Sequence, residues 1–400
     1  MDSQMIVLNI IGTRPEAIKM APVIRELERY TDSVRSLVCV TGQHRELVAP
    51  VLALFAIEPD YELSVMQPGQ TLAQLTASLL EGLDCVLAEA QPDWVLAQGD
   101  TTTALAAGLA AFYRRARFGH VEAGLRTGDK FSPFPEELNR RLVDVCADAC
   151  FAPTEQARAH LLREGCCPER IFVTGNTVVD ALREAAERPF DPAGANLPVL
   201  APGRRLVLVT AHRRENFGPP LQEMCEAIRE LAGHYRNDGV EFVFPVHLNP
   251  DARRPVLETL SGLDNVNLIE PVDYLAMVHL MQRAEMILTD SGGLQEEAPS
   301  FGVPVVLMRG TTERPEGVAA GLVRLAGTGR AGIIRAVREV LDANVAPRRR
   351  GEFAQNPYGD GRAAERIVAA LLDGQEPAAS LGSRQQAPGS PVGADARFDA

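Results

Sequence analysis

Short Val- and Ile-rich runs alternate with longer stretches of helical periodicity along the whole chain. That alternation leaves room for little besides a parallel α/β sheet, because strands covered by helices on both faces read as continuous apolar runs. Six such runs occupy the first half: Met5–Ile11, Ser36–Val40, Asp93–Ala97, Phe118–Val121, Cys150–Ala152 and Ile171–Val173. Pro, Gly, Ala and Asn then take over in ERPFDPAGANLPVLAPGRR, Glu187 to Arg205, which reads as a linker. Six more runs follow: Leu206–Thr210, Glu241–Pro245, Val266–Ile269, Met286–Thr289, Val303–Leu307 and Leu322–Leu325. Each half opens with a strand, a loop with basic residues and a helix, IIGTRPEAIK in the first and LVTAHRRENFG in the second. The expected architecture is two doubly wound, Rossmann-like parallel-sheet domains facing a cleft, since ligands of open α/β sheets sit beyond the carboxyl ends of the strands. The expected division is 1–186, a linker at 187–204, 205–358, a helix at 359–373 crossing back onto the first domain, and a disordered tail at 374–400. That tail has only Leu381, Val392 and Phe398 as larger apolar side chains.

Charge and cysteine usage narrow the function classes. The net charge of −13, with Arg348–Arg350 as the one dense basic run, argues against nucleic-acid or anionic-membrane partners. No window approaches the ~18 apolar residues of a membrane span, and Met5–Ile11 is too short for a signal peptide and follows Asp2. Seven scattered cysteines without a C-x-x-C pair give no disulfide framework or zinc site, and Cys146 and Cys150 read as small buried thiols at i, i+4 of a helix. A cytoplasmic protein without a metal is expected.

Three groups of residues carry chemistry. After the first strand, Gly12 permits a tight turn, and the helix start at Pro15 with Arg14 and Lys19 makes an anion pocket. In ILTDSGGLQEEAPS, Ser291, Gly292 and Gly293 lie between a strand and a helix containing Glu296 and Glu297, where backbone amides approach a phosphate and one carboxylate of the helix can accept both ribose hydroxyls. No dinucleotide fingerprint G-x-G-x-x-G is expected in the chain, so the candidate ligand is a nucleoside diphosphate without nicotinamide. The third group is acidic: Asp100 in QGDTTT, Glu122 in GHVEAGLR, and Glu136 with Glu137 in PEELNR. Carboxylates that converge in a cleft raise one another's pKa and become proton carriers, with Arg126 and Arg140 as counter-charges. Asp100 has a competing reading as the N-cap of a helix beginning at Thr101, and Glu136 and Glu137 as first-turn residues complementing a helix dipole. His212, at the end of the first strand of the second half, is placed to give a proton to a leaving oxygen, and Arg314 is a further phosphate clamp.

In order, GTRPEAIKMAPVI, QGDTTT, GHVEAGLRTGD, PFPEELNR, TAHRREN, PVHLNP, DSGGLQEEAPS and TTERPE resemble the non-hydrolysing UDP-N-acetylglucosamine 2-epimerase family over about Met5 to Leu372. Hydrolysing relatives differ at the first loop, with an acidic or Ala residue after the Arg in place of PEAIK. The resemblance implies the GT-B architecture, a homodimer, and C2 epimerisation of UDP-N-acetylglucosamine through elimination of UDP to a 2-acetamidoglucal, with no cofactor. It implies Asp100, Glu122, Glu136 and His212 as catalytic residues, and Arg14, Lys19, Arg140, Met277, Ser291, Gly292, Gly293, Glu297 and Arg314 as substrate-binding ones. Val272 and Met277 stand where members commonly carry Gln and Phe. Gln43, Glu46, Gln70, Arg213 and His247 stand in motifs comparable to those binding a second, activating substrate molecule. The alternatives are an epimerase of a related UDP-2-acetamido sugar, a GT-B glycosyltransferase, and a catalytically silent nucleotide-sugar sensor.

Overall fold

The computed structural model describes residues 4–195, 197–198, 201, 203–343 and 353–373. The basic run at 348–350, the tail at 374–400 and part of the linker lie outside them.

Seven strands form the first sheet: β1 (Met5–Ile11), β2 (Val34–Val40), β3 (Tyr61–Glu62), β4 (Trp94–Gln98), β5 (Arg117–Val121), β6 (Ala149–Ala152) and β7 (Ile171–Val173). Six form the second: β8 (Arg205–Thr210), β9 (Val240–Pro245), β10 (Val266–Ile269), β11 (Ala284–Thr289), β12 (Val305–Leu307) and β13 (Val323–Leu325). Every expected run falls within two residues of a strand. The one strand without a run is β3, whose two residues are too few to make one.

The strand orders are β3-β2-β1-β4-β5-β6-β7 and β10-β9-β8-β11-β12-β13, and the strand pairs are parallel. The chain therefore folds as two Rossmann-like units, the GT-B architecture. Each order reverses once, between β1 and β4 in the first sheet and between β8 and β11 in the second. These are the topological switch points where ligands of such sheets bind. The loops that follow β1, β4, β8 and β11 are those carrying Arg14, Asp100, His212 and Ser291.

Three apolar clusters hold the layers together. One covers the outer face of the first sheet and one the outer face of the second. The third runs through both units, joining Val7, Met20 and Ile24 to Val178, Leu182, Leu206 and Ile287. The helix Ala363–Asp373 belongs to it: Ile367, Val368 and Leu371 are fully buried, and the helix packs on Arg14–Leu27 and Thr177–Ala186. At roughly 1.5–3 kcal/mol for each such side chain, this returning helix is a substantial tie between the chain's end and the first sheet.

Three local expectations change. Thr101, not Asp100, caps the helix Thr102–Arg114, its hydroxyl accepting from the Ala104 amide at 3.1 Å. Cys146 ends the helix Glu136–Cys146 while Cys150 lies in β6, because the turn at Ala147 breaks the i, i+4 relation. The string Gly327-Thr328-Gly329-Arg330-Ala331-Gly332 spells G-x-G-x-x-G, but it follows the edge strand β13, away from the switch point.

Candidate active site

The first loop is built by a capping arrangement. Thr13 precedes the helix Arg14–Leu27, and the Glu16 carboxylate accepts the Gly12 and Thr13 amides at 2.5 and 2.7 Å and the Thr101 hydroxyl. Burial, with Asp100 adding to it, pushes the Glu16 pKa up to about 7 against these hydrogen bonds. A side chain at Gly12 would place Cβ 2.3 Å from the Thr103 hydroxyl, so glycine is required for the β1 turn to lie against the helix after β4.

Lys19, one turn into that helix, is buried between the two units. Its ammonium pairs with Glu122 of the first and stands 3.2 Å from Glu296 of the second. Gln98 donates to the same Glu122 oxygen at 2.7 Å, and Arg314 donates to Glu296 at 2.7 Å while lying 3.8 Å from Glu122. Burial raises the Glu122 pKa more than Lys19 lowers it, whereas Arg314 and Lys19 overcome burial and keep Glu296 below the ordinary carboxylate range. Glu122 has φ of +69°, a conformation uncommon for a residue with a side chain and one that concentrates at functional sites.

Beside it lies the turn Ser291-Gly292-Gly293. A Cβ on Gly292 would stand 3.0 Å from the Arg314 guanidinium and 3.3 Å from that of Arg213, so two cations crowd onto bare backbone at the start of the helix Gly292–Glu297. Glu313 pairs with Arg314, with Arg309 at 3.0 Å and with Arg213 at 3.6 Å, fixing their positions. The Ser291 side chain makes no capping hydrogen bond. Glu297 is buried, its pKa pushed up to about 7 by that burial, with Tyr274, Lys19 and Arg14 around it. Met277 is half-buried against the central apolar cluster.

Asp100 accepts from Arg140 at 2.6 Å, and Asn139 donates to the Asp100 carbonyl at 2.9 Å. Glu136 lies on the same helix as Arg140, its Oε2 buried without a hydrogen bond. Burial raises its pKa, Asp100 adds to that, and Arg140 and Arg213 oppose it. Arg126 does not serve these carboxylates: it bonds Asp144 at 2.6 Å and Glu164 at 2.7 and 2.9 Å. Asp144 and Glu164 are nearer neighbours of its strand end than Asp100.

His212 is fixed by Asp290, which is fully buried and accepts the His212 and Arg213 amides at 3.1 and 3.0 Å and stands 3.4 Å from the imidazole Nδ1. Desolvation lowers the His212 pKa, and Arg213, His247 and Arg14 lower it further. The His247 ring stacks on His212 at 6.5 Å between centroids. Among the remaining candidates, Gln43 accepts from Thr103 at 2.7 Å, Gln70 turns back to the Val65 carbonyl at 3.0 Å, and Glu46 is exposed.

Glu313 and Asp290 have no role in the motifs as read from sequence, and Glu296 stands there only beside Glu297, yet all three hold basic or imidazole partners of the site. Their signal lies in the DSGGLQEE and TTERPE strings, where paired acids beside a phosphate turn call for buried basic partners.

Residues 25–372 match the family model of UDP-N-acetylglucosamine 2-epimerase. The UDP-N-acetylglucosamine 2-epimerase of Escherichia coli (strain K12) is 51% identical over 372 residues, covering 91% of this chain and 98% of that protein. The crystal structure of UDP-GlcNAc 2-epimerase from Neisseria meningitidis bound to UDP-GlcNAc superposes with a TM-score of 0.84 at 45% identity, over 92% of this chain and 100% of that one. The Methanocaldococcus jannaschii UDP-GlcNAc 2-epimerase in complex with UDP-GlcNAc and UDP gives 0.78 at 35% identity, over 92% and 100%. With both sheets spanned at such identity, the chain belongs to the UDP-N-acetylglucosamine 2-epimerase family.

Proposed function

We propose that this protein interconverts UDP-N-acetylglucosamine and UDP-N-acetylmannosamine by eliminating UDP and adding it back. The observation that carries the reading is the meeting of Lys19 and Glu122 from the first unit with Glu296 and Arg314 beside the Gly292 turn of the second. Acids and phosphate-binding cations thereby share one cleft.

Carbon 2 of the sugar is not α to a carbonyl, so its proton cannot leave as in an enolisation. In the proposed route a carboxylate removes that proton while the bond from carbon 1 to the UDP oxygen breaks, leaving a 2-acetamidoglucal and UDP. Return of a proton to the opposite face of carbon 2, with attack of the UDP oxygen on carbon 1, gives the manno epimer. Two faces call for more than one acid, and Asp100, Glu122 and Glu136 are the set in our reading. The unpartnered Glu136 oxygen and the upward shift that burial gives Glu136 and Glu122 suit groups that carry a proton. His212, with Nδ1 toward Asp290, keeps Nε2 for the diphosphate. Arg14, Arg213, Arg314, Ser291, Gly292 and Gly293 hold the anion, and Glu297 takes the ribose diol. Retention of UDP between the two units lets it return before it diffuses away. No nicotinamide or metal enters these steps.

We further read the domain division of the described residues as that expected above, the setting as cytoplasmic supply of a polysaccharide precursor, and the assembly as a homodimer. The last rests on an exposed apolar face on the paired helices Thr102–Arg114 and Glu136–Cys146, where Phe112, Tyr113 and Val145 are 69%, 64% and 80% exposed.

The test is incubation of purified protein with UDP-N-acetylglucosamine and no acceptor, followed by proton NMR of the nucleotide sugars. The manno epimer with UDP retained is expected. Stoichiometric UDP release without epimer, or sugar transfer only when an acceptor is added, overturns the reading.

A further inference from the structure

His120 carries no role in the chemistry above, yet it is fully buried in the centre of the first sheet, on β5 between Ala97 of β4 and Cys150 of β6. Its Nδ1 lies 2.6 Å from an Asp144 carboxylate oxygen and its Nε2 lies 2.7 Å from the Gly99 carbonyl oxygen. Both partners only accept hydrogen bonds, so a ring that bonds both donates from each nitrogen. The other Asp144 oxygen takes the Arg126 guanidinium, which continues to the exposed Glu164, itself 3.6 Å from Arg141. Burial works against the Asp144 carboxylate, but His120 and Arg126 outweigh it and hold its pKa below the ordinary range.

The ring joins three elements. Gly99, at φ +78°, is the residue before Asp100, and its amide donates to the Val121 carbonyl at 3.0 Å. Glu122 follows His120 by two residues on the same strand end. Asp144 lies on the helix Glu136–Cys146, which also carries Glu136 and Arg140. A neutral imidazole has one N–H and would release either the Gly99 turn or that helix.

We propose that His120, doubly protonated between Asp144 and the Gly99 carbonyl, is a positioning residue that fixes the three carboxylate-bearing elements relative to one another. This deepens the epimerase reading and rests on it for its catalytic meaning. Arg213, Arg314 and Glu297 belong to the second unit, and Arg14 starts the helix after β1, outside the three elements that His120 joins, so the effect is on turnover and not on UDP affinity. Misplacement of catalytic groups by about 1 Å costs on the order of 100-fold in rate.

The experiment compares wild type with His120→Asn and Asp144→Asn in kcat, KM and UDP affinity, and records nitrogen NMR of histidine-labelled wild-type protein. Two protonated nitrogens on the His120 ring at neutral pH are expected, with kcat down about 100-fold in His120→Asn and UDP affinity within about threefold. A single protonated ring nitrogen in the wild type overturns the proposal. So does unchanged kcat in both variants, or a parallel loss of kcat and UDP affinity, which marks a merely structural residue. If His120→Asn fails to fold, Asp144→Asn supplies the same comparison. The ring protonation reads out without turnover, so a wild type that does not epimerise sinks the functional reading and leaves the imidazole question decided separately.

Discussion

The Lys19 ammonium lies 3.2 Å from the Glu296 carboxylate, a buried contact between side chains carried by different sheets. Glu122 and Arg314 close the same group, so the charges that bridge the two units include a proposed catalytic acid and a proposed phosphate clamp.

Lys19→Met leaves Glu122 and Glu296 with Arg314 as their remaining cation in a buried site. Removing one partner from such a cluster costs about 3–5 kcal/mol. Urea unfolding of the variant is expected to show a loss of that size. A midpoint equal to that of the wild type would mean the cluster contributes nothing to holding the units together.

Asp100→Asn, Glu122→Gln and Glu136→Gln are each expected to abolish epimerisation while UDP affinity stays within roughly tenfold, ~1.4 kcal/mol. Glu122→Gln should disturb UDP most of the three, because Glu122 alone among them stands near Arg314, at 3.8 Å. Calorimetric titration with UDP alongside the turnover assay separates the two effects. Full turnover in any one variant removes that residue from the catalytic set.

Glu16 gives stability a pH dependence. Burial lifts its pKa to about 7 in the folded protein, against 4.5 for an ordinary glutamate. The native state therefore binds a proton that the unfolded chain has already lost between those values. Its contribution is fully present below the lower value, declines as pH rises toward 7, and is gone above it, with a slope of up to about 1.4 kcal/mol per pH unit. Glu297, also lifted to about 7, acts in the same window. Glu16→Gln should flatten the stability profile between these pH values, and Glu16→Gln with Glu297→Gln should flatten it further. A wild-type stability that rises across the window contradicts this assignment.

Val145→Glu places a charge on the helix paired with the one that carries the exposed Phe112 and Tyr113. Light scattering is expected to give a dimer for the wild type and a monomer for the variant. A monomeric wild type, or a variant that stays dimeric, moves the assembly elsewhere.

Much of the fold was legible because parallel strands covered on both faces keep their apolar side chains in unbroken runs, as in β1 and β8. The two residues of β3 held no such run. The motifs that carry Arg14, Asp100, Glu122, His212 and Ser291 were legible because each follows a strand at its carboxyl end. Their pairing was not. Arg126 is separated from Asp144 by 18 residues and from Glu164 by 38, and Lys19 from Glu296 by 277, so tertiary placement alone selects these partners. The same applies to His120, whose sequence neighbours give no sign that its ring spans Gly99 and Asp144.

The most direct test is the fate of the proton at carbon 2. Proton NMR of the wild-type protein turning over UDP-N-acetylglucosamine in deuterated water should show each UDP-N-acetylmannosamine formed carrying solvent deuterium at carbon 2. A manno product that keeps its original proton at carbon 2 would contradict removal by one acid and return from another.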